Sequence, residues 1–208
     1  MKGPADVGGA EGFGPVVPDP DQDPFHAEWE KTAFGLTIAM GATGLWSLDR
    51  SRFMRESLPH TTYYGSSYFE IWLRALERLV AEAQVGSDGE VPPKRVLKQE
   101  NVRAAMAAGG PTEREDTAPP RFAVGDSVRV KPMRPKGHTR APAYLHGRVG
   151  RVAMVHGTHV FPDTSAHRKG EAPTPLYNIA FDAAELWGKD TTVSQVRADL
   201  FEPYLDPA

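Results

Sequence analysis

The sequence contains no cysteine, and this absence excludes a whole class of chemistry. Disulfides, thiolate-ligated metal sites, iron–sulfur clusters and cysteine nucleophiles all require a thiol. Any thiolate chemistry in which the chain takes part must therefore come from a partner. No apolar run approaches the ~20 residues that a membrane span needs, and the opening Met1-Lys2-Gly3-Pro4-Ala5-Asp6 lacks the apolar core of a secretory signal. Together these set the expectation of a cytoplasmic protein with no membrane partner. An excess of positive charge is missing too. Lys and Arg number 24 against 27 Asp and Glu, a formal net charge of -3, which disfavours a nucleic-acid partner. Internal repeats and low-complexity tracts are likewise absent.

What is present is enough to fold. Of 208 residues 40% are hydrophobic, a content that supports one large or two small packed domains. Residues 1–25 carry Gly3, Gly8, Gly9, Gly12, Gly14 and prolines 4, 15, 18, 20 and 24, which cannot propagate helix or strand. The segment reads as an extended arm, and Val7, Phe13, Val16 and Val17 give it an apolar content that a free tail does not need. Residues 26–108 read as a helical domain. Trp29, Ala33, Phe34, Leu36 and Met40 recur at helical spacing after Pro24, with Glu28 and Glu30 in a first turn where the helix dipole favours them. A shorter helix over 48–58 is expected to turn Leu48, Phe53 and Leu58 inward before Pro59. Ser67 and Glu70 then form a capping-box pattern, followed by an apolar stripe from Tyr68 through Ile71, Trp72, Ala75, Leu76, Leu79 and Val80 to Ala83. Glu70 and Arg74 are expected to pair on the outer face. Gly86, Gly89 and Pro92-Pro93 mark a polar linker, and a weaker helix spans 99–108.

Residues 109–120, with three prolines, read as an interdomain linker. Beyond it the apolar period falls from about 3.6 to 2, over 124–130, 146–155, 176–182, 192–197 and 200–205. Five short strands in residues 121–208 suggest a small barrel. Within it, Arg134 to Pro142 has turn chemistry and no apolar periodicity, so it should be an exposed loop placing a cation. The Val149, Val152 and Val155 run that follows sits among Gly147, Gly150 and Gly157, as in a curved, glycine-kinked strand.

Familiar site patterns do not account for function. His156 and His159 have a spacing that zinc could use, yet no third ligand stands near in sequence, and solvated loop histidines are the simpler reading. Gly65-Ser66-Ser67 lacks the elbow of a serine hydrolase. Gly9 to Gly14 has neither the lysine nor the strand-then-helix setting of a phosphate loop. Arginines and aromatics remain. On composition alone Arg52 and Arg140 are solvated charges, and Tyr68 and Trp72 are helix core.

The wording of several segments narrows this. Lys136-Gly137-His138-Thr139-Arg140-Ala141-Pro142-Ala143-Tyr144-Leu145, then Gly147-Arg148-Val149-Gly150, Phe161-Pro162-Asp163-Thr164 and Glu185-Leu186-Trp187-Gly188 resemble the C-terminal part of the β subunit of nitrile hydratase. The glycine-rich opening and the run Tyr63 to Trp72 also resemble that family, and the likeness spans residues 1–84 and 121–205. It implies an α+β protein: a mostly helical N-terminal domain with an arm along the partner, then a small SH3-like β-barrel domain. The implied activity is hydration of nitriles to amides at a Co(III) or Fe(III) centre carried by an α subunit, in an αβ heterodimer or α2β2 assembly, with no cofactor bound by this chain alone. The resemblance places Arg52 and Arg140 against the partner's metal loop, where oxidised cysteine sulfurs need charge-assisted donors. It places Leu48, Tyr68, Phe69 and Trp72 along the substrate channel, Phe69 standing where the family often has tyrosine. Related readings are a thiocyanate hydrolase subunit and a metallochaperone or activator, while Gly147-Arg148-Val149-Gly150 alone would also suit a translation-factor barrel.

Overall fold

The structure, a computed structural model, describes residues 3–18, 20, 23–86, 95–116 and 118–208. The polar linker expected at Gly89 and Pro92-Pro93 lies outside the described residues. Two compact units emerge: Gly3–Ala5 with Ala10–Gly110, and Asp6–Gly9 with Pro111–Ala208. The first is helical and the second is built on an antiparallel sheet, so the class is α+β.

In the helical unit, α1 (Glu28–Gly41) begins where Glu30, buried at its first turn, accepts the His26 N–H at 2.6 Å. Ser47 caps α2 (Leu48–Glu56) by accepting the Arg50 N–H at 3.1 Å. A helix that the apolar pattern does not announce, α3 (His60–Gly65), follows Pro59. In α4 (Tyr68–Glu82) the expected capping box is present: Ser67 accepts the Glu70 N–H at 3.4 Å, and Glu70 accepts the Ser67 N–H at 2.8 Å. The expected Glu70–Arg74 pair is not formed, because Glu70 is committed to the cap and Arg74 Nε donates to Ser66 Oγ at 3.1 Å. α1 and α2 both pack on α4, burying Ala33, Met54, Phe69, Ala75, Leu76 and Leu79. Leu58 is buried as expected, whereas Leu48 is exposed and Phe53 only half-buried. The buried side of α2 carries Asp49 and Met54 instead, and Leu48 on the first turn falls outside it. α5 (Val102–Ala108) is exposed along its length.

The second unit holds β1 (Glu113–Arg114), β2 (Ser127–Val130), β3 (Val149–His159), β4 (Thr174–Asp182), β5 (Gln195–Phe201) and β6 (Leu205–Pro207), with short helices α6 (Pro162–Ser165) and α7 (Ala183–Trp187) between strands. All pairs are antiparallel, in the order β5-β4-β3-β2-β6, and β1 adds to β3. This is an open path: among the described residues no ladder joins β5 to β6, so the sheet does not close into the expected barrel. The strands expected over 192–197 and 200–205 are instead β5 and β6, separated by a 3-10 turn at Glu202–Tyr204. The curved strand is β3, whose pairing to β4 shifts register at Val152/Met154 and again at Val155/Gly157. Such bulges bend a strand and increase its twist. Gly150 is required by close approach, since a Cβ there would lie 2.6 Å from Ile179 Cγ2 and 2.9 Å from the Ala180 carbonyl oxygen. Val128, Val130, Leu145, Val152, Tyr177, Ile179, Phe181, Leu200, Tyr204 and Leu205 form the core on one side of the sheet.

Candidate functional site

Arg52 belongs to the helical unit, on α2, and both ends of that helix are tied to α4. Arg50 donates through Nε and Nη2 to Glu82 Oε2, at 3.1 and 2.7 Å. Arg78 Nη1 donates to the Met54 carbonyl at 2.5 Å and to Ser57 Oγ at 3.1 Å, meeting groups that a helix C-terminus leaves unpaired. On this held helix, Arg52 Nη1 donates to Asp49 Oδ1 at 3.0 Å. Asp49 is 5% exposed, and a carboxylate so buried needs a cation or donors. Among the described residues this is the one side-chain hydrogen bond of Arg52, whose side chain stays 36% exposed. One amino group is thus anchored while the rest of the guanidinium keeps donors to spare. Sequence reasoning passed over Asp49, although its i,i+3 spacing to Arg52 on a helix was the available signal.

Tyr68, Phe69 and Trp72, all on α4, are brought together, with centroids 5.1 Å apart for Tyr68–Phe69, 5.6 Å for Tyr68–Trp72 and 6.2 Å for Phe69–Trp72. Two aromatics that sequence reasoning did not assign join them. Phe34 of α1 lies 6.0 Å from Trp72, and Phe25 stacks on Phe69 at 5.0 Å. Phe69 is buried among these rings, Trp72 is half-buried, and Tyr68 is exposed. Leu48 is exposed on the first turn of α2. Arg55 sets its guanidinium 4.6 Å from the Trp72 ring centroid, a tertiary contact with no sequence signature.

Arg140 belongs to the sheet unit, on the exposed loop between β2 and β3. Up to the 3-10 turn at Ala143–Leu145 the loop has no regular structure of its own, so its backbone is held from outside. The Arg140 N–H donates to Tyr204 Oη at 3.2 Å, and the Tyr204 hydroxyl in turn donates to Asp163. Burial first, then the Asp163 charge, pushes the Tyr204 phenol well above its ordinary value. Tyr177 is raised in the same way, by burial and by its 2.5 Å hydrogen bond to Glu202. The His138 N–H donates to His167 Nε2 at 3.0 Å, which assigns the neutral tautomer with its proton on Nδ1. A Cβ on Gly137 would sit 2.1 Å from that same nitrogen. At the far end, both carboxylate oxygens of Asp6 accept from the Ala143 N–H, at 3.2 and 3.1 Å. Gly8 packs flat against Tyr144, which lies 5.0 Å from Trp187. Residues Asp6–Gly9 therefore brace the exit of the Arg140 loop.

His156 and His159 lie on β3, not in a loop. His156 Nε2 pairs with Asp199 Oδ1 at 3.0 Å, and His159 Nδ1 meets Thr112 Oγ1 at 3.1 Å.

Comparison with known proteins is consistent across the whole chain. The family model for the N-terminal part of the nitrile hydratase β subunit matches residues 1–120, and that for the C-terminal part matches residues 111–207. The low-molecular weight cobalt-containing nitrile hydratase subunit β of Rhodococcus rhodochrous is 36% identical, with 100% of both chains covered. The cobalt-containing nitrile hydratase subunit β of Pseudonocardia thermophila is 36% identical over 99% of this chain and 96% of that one. The nitrile hydratase subunit β of Pseudomonas putida is 34% identical over the full length of both. Among solved structures, a chain of the recombinant apo thiocyanate hydrolase from Thiobacillus thioparus aligns with TM-score 0.42 and 23% identity, over 55% of this chain and 100% of that chain. A likeness of that extent carries no functional argument.

Proposed function

We propose, on the premise that this chain belongs to the nitrile hydratase β-subunit family, that it works with an α subunit to hydrate nitriles to amides and supplies Arg52 and Arg140 to the reaction centre. The observation that carries the reading is that the two family models cover both halves, so each arginine falls inside a matched segment.

Cysteine is absent, and among the described residues no group of three His, Asp or Glu is placed to hold a metal ion. What the chain's own residues fit is the role of donors to a centre held by the partner. A Co(III) or Fe(III) ion in the α subunit supplies Lewis acidity toward the nitrile or the attacking water. Arg52, anchored at one amino group by buried Asp49, offers its remaining N–H groups to anionic oxygens on oxidised sulfurs of the partner. Arg140, exposed on a braced loop, offers the same planar fork from the other unit. Guanidinium suits this because it keeps its proton and donates in pairs. Tyr68, Trp72 and Leu48 furnish apolar wall for the substrate, and Phe69 supports them from the core; without a hydroxyl, Phe69 offers no hydrogen bond and favours apolar nitriles.

The same reading assigns residues 26–108 to a helical domain, residues 109–120 to a linker and residues 121–208 to an SH3-like barrel domain of the partly open kind, in which β5 and β6 need not pair. The arm over residues 1–25 lies along the α subunit, in an αβ unit or α2β2 assembly of the cytoplasm. Phe13, Val16 and Val17 are exposed in this chain, as residues destined for an interface would be. Among the described residues no helix is long and apolar enough to cross a membrane.

The test is to co-produce the chain with a nitrile hydratase α subunit and assay the purified complex. Conversion of nitriles to amides supports the reading. A complex that consumes thiocyanate and leaves nitriles untouched contradicts it.

A further inference from the structure

Arg55 has a simple local role available. It is the basic residue in the last turn of α2, where a cation complements the helix dipole, and its Nε donates to the Ser51 carbonyl at 3.3 Å. Neither fact requires its position over Trp72. The guanidinium carbon lies 4.6 Å from the indole centroid, within the range of a cation–π contact, which gains strength as it is desolvated. Arg55 is half-buried, and burial, ahead of the like charge of Arg52, lowers its guanidinium from the ordinary value. Among the described residues it forms no ion pair within this chain, although the charge of Glu56 acts on it from a distance. A partly desolvated cation placed over an indole, with no carboxylate in direct contact, is retained by that ring, and the ring is held by it in turn.

The rest of the Trp72 environment leaves it one soft direction. Phe34, Tyr68 and Phe69 contact it at 6.0, 5.6 and 6.2 Å with interplanar angles of 43°, 46° and 58°. These tilted contacts surround the indole without stacking flat on it. Arg55 alone places a planar group against its π face. Tryptophan has a broad χ2 well, so the plane of the ring depends on that cap.

We propose that Arg55 is a positioning residue that fixes the plane of Trp72 and thereby makes the complex selective for flat aryl nitriles over short alkyl nitriles. The inference rests on the reading of Trp72 as substrate wall. A planar aryl group gains from a wall held flat, whereas a short alkyl group fills space equally well beside a tilted one.

The experiment uses the complex with the α subunit and five forms: the parent chain, Arg55→Met, Arg55→Lys, Trp72→Phe and the Arg55→Met, Trp72→Phe double variant. Met keeps most of the apolar stem and removes the planar cation. Two quantities are read: the ratio of kcat/KM for benzonitrile to that for propionitrile, and the near-ultraviolet circular dichroism of the tryptophans. Arg55→Met should lower the ratio about threefold to tenfold, equivalent to ~0.6–1.4 kcal/mol and within the range of a cation–π contact, and should change the tryptophan dichroism. Both effects should vanish in the Trp72→Phe background, because the coupling is between these two residues. Arg55→Lys, a cation without the planar face, should recover only part of the ratio. Equal shifts with and without Trp72, or an unchanged ratio with unchanged dichroism, overturn the inference. A parent complex that hydrates no nitrile contradicts the functional reading itself, and the dichroism cycle still decides whether Arg55 sets the indole plane.

Discussion

Tyr204 shows how a single side chain supports the Arg140 loop. Its hydroxyl accepts the Arg140 N–H and donates to Asp163, in surroundings where it is 1% exposed. Replacing it by Phe leaves two polar groups short of a partner and should cost about 1–3 kcal/mol, read by urea denaturation. Its pH signature has a definite sign. The folded phenol is raised above the ordinary value of 10.0, so above that pH the unfolded chain loses a proton that the folded chain retains. Stability is therefore fully present below pH 10 and falls as pH rises beyond it. Tyr204→Phe should flatten part of that alkaline decline; an unchanged alkaline limb would show that Tyr204 does not govern it and would leave the raised phenols of Tyr177, Tyr63 and Tyr144 as its sources. Asp49 plays the matching part for Arg52. Asp49→Asn removes the charge that holds Nη1 while keeping an acceptor, and turnover should drop several-fold with stability down by about 1–2 kcal/mol. Restored turnover on raising substrate concentration would point to a binding effect and not to placement of Arg52.

At the scale of elements, α2 is a short helix whose nine residues are too few to be stable without tertiary support. Glu82→Gln should weaken the Arg50 clamp by ~1 kcal/mol or somewhat more, since the pair is partly buried. Turnover should fall further than in Ser67→Ala, which removes only the α4 cap, worth ~1 kcal/mol. Equal turnover in the two variants would mean that the position of α2 does not matter to catalysis. In the sheet, Gly150→Ala forces a Cβ against Ile179 and the Ala180 backbone and should destabilise by about 1–3 kcal/mol. These elements also show what the sequence could reveal. The capping box and stripe of α4, the glycine-bent β3 and the exposed loop at Arg140 were legible because each follows from local chemistry. The inward face of α2 was misjudged because a helix of nine residues holds too few apolar positions to define a face, and its buried side carries Asp49 beside Met54. The support of the Arg140 loop by Asp6 and the contact of Arg55 with Trp72 link positions far apart in the chain. No local pattern encodes them. The family likeness, by contrast, lay in extended wording across both halves, which is why Arg52 and Arg140 could be singled out when their composition said only that they were charged.

At the scale of the whole molecule, the proposed assembly predicts that a partner covers the apolar residues this chain leaves exposed. Phe13, Val16, Val17, Leu36, Leu48, Tyr64 and Tyr68 are all exposed in the helical unit, and obligate interfaces resemble a domain core cut in two. Val16→Asp combined with Val17→Asp should leave the circular dichroism of the chain unchanged and cause the complex to dissociate at micromolar dilution. Full assembly of that variant would remove the arm from the interface. The central claim concerns the two arginines, and one comparison tests it most directly: turnover together with the metal-to-sulfur absorption band in complexes carrying Arg52→Lys, Arg140→Lys or the surface control Arg74→Lys. Lysine keeps the charge and loses the planar pair of donors. Both site variants should assemble, lose activity by tenfold or more (~2–5 kcal/mol for a buried charged hydrogen bond) and shift the band, while Arg74→Lys stays within about twofold of the parent. If Arg52→Lys and Arg140→Lys match Arg74→Lys in both turnover and spectrum, the arginines do not serve the reaction centre.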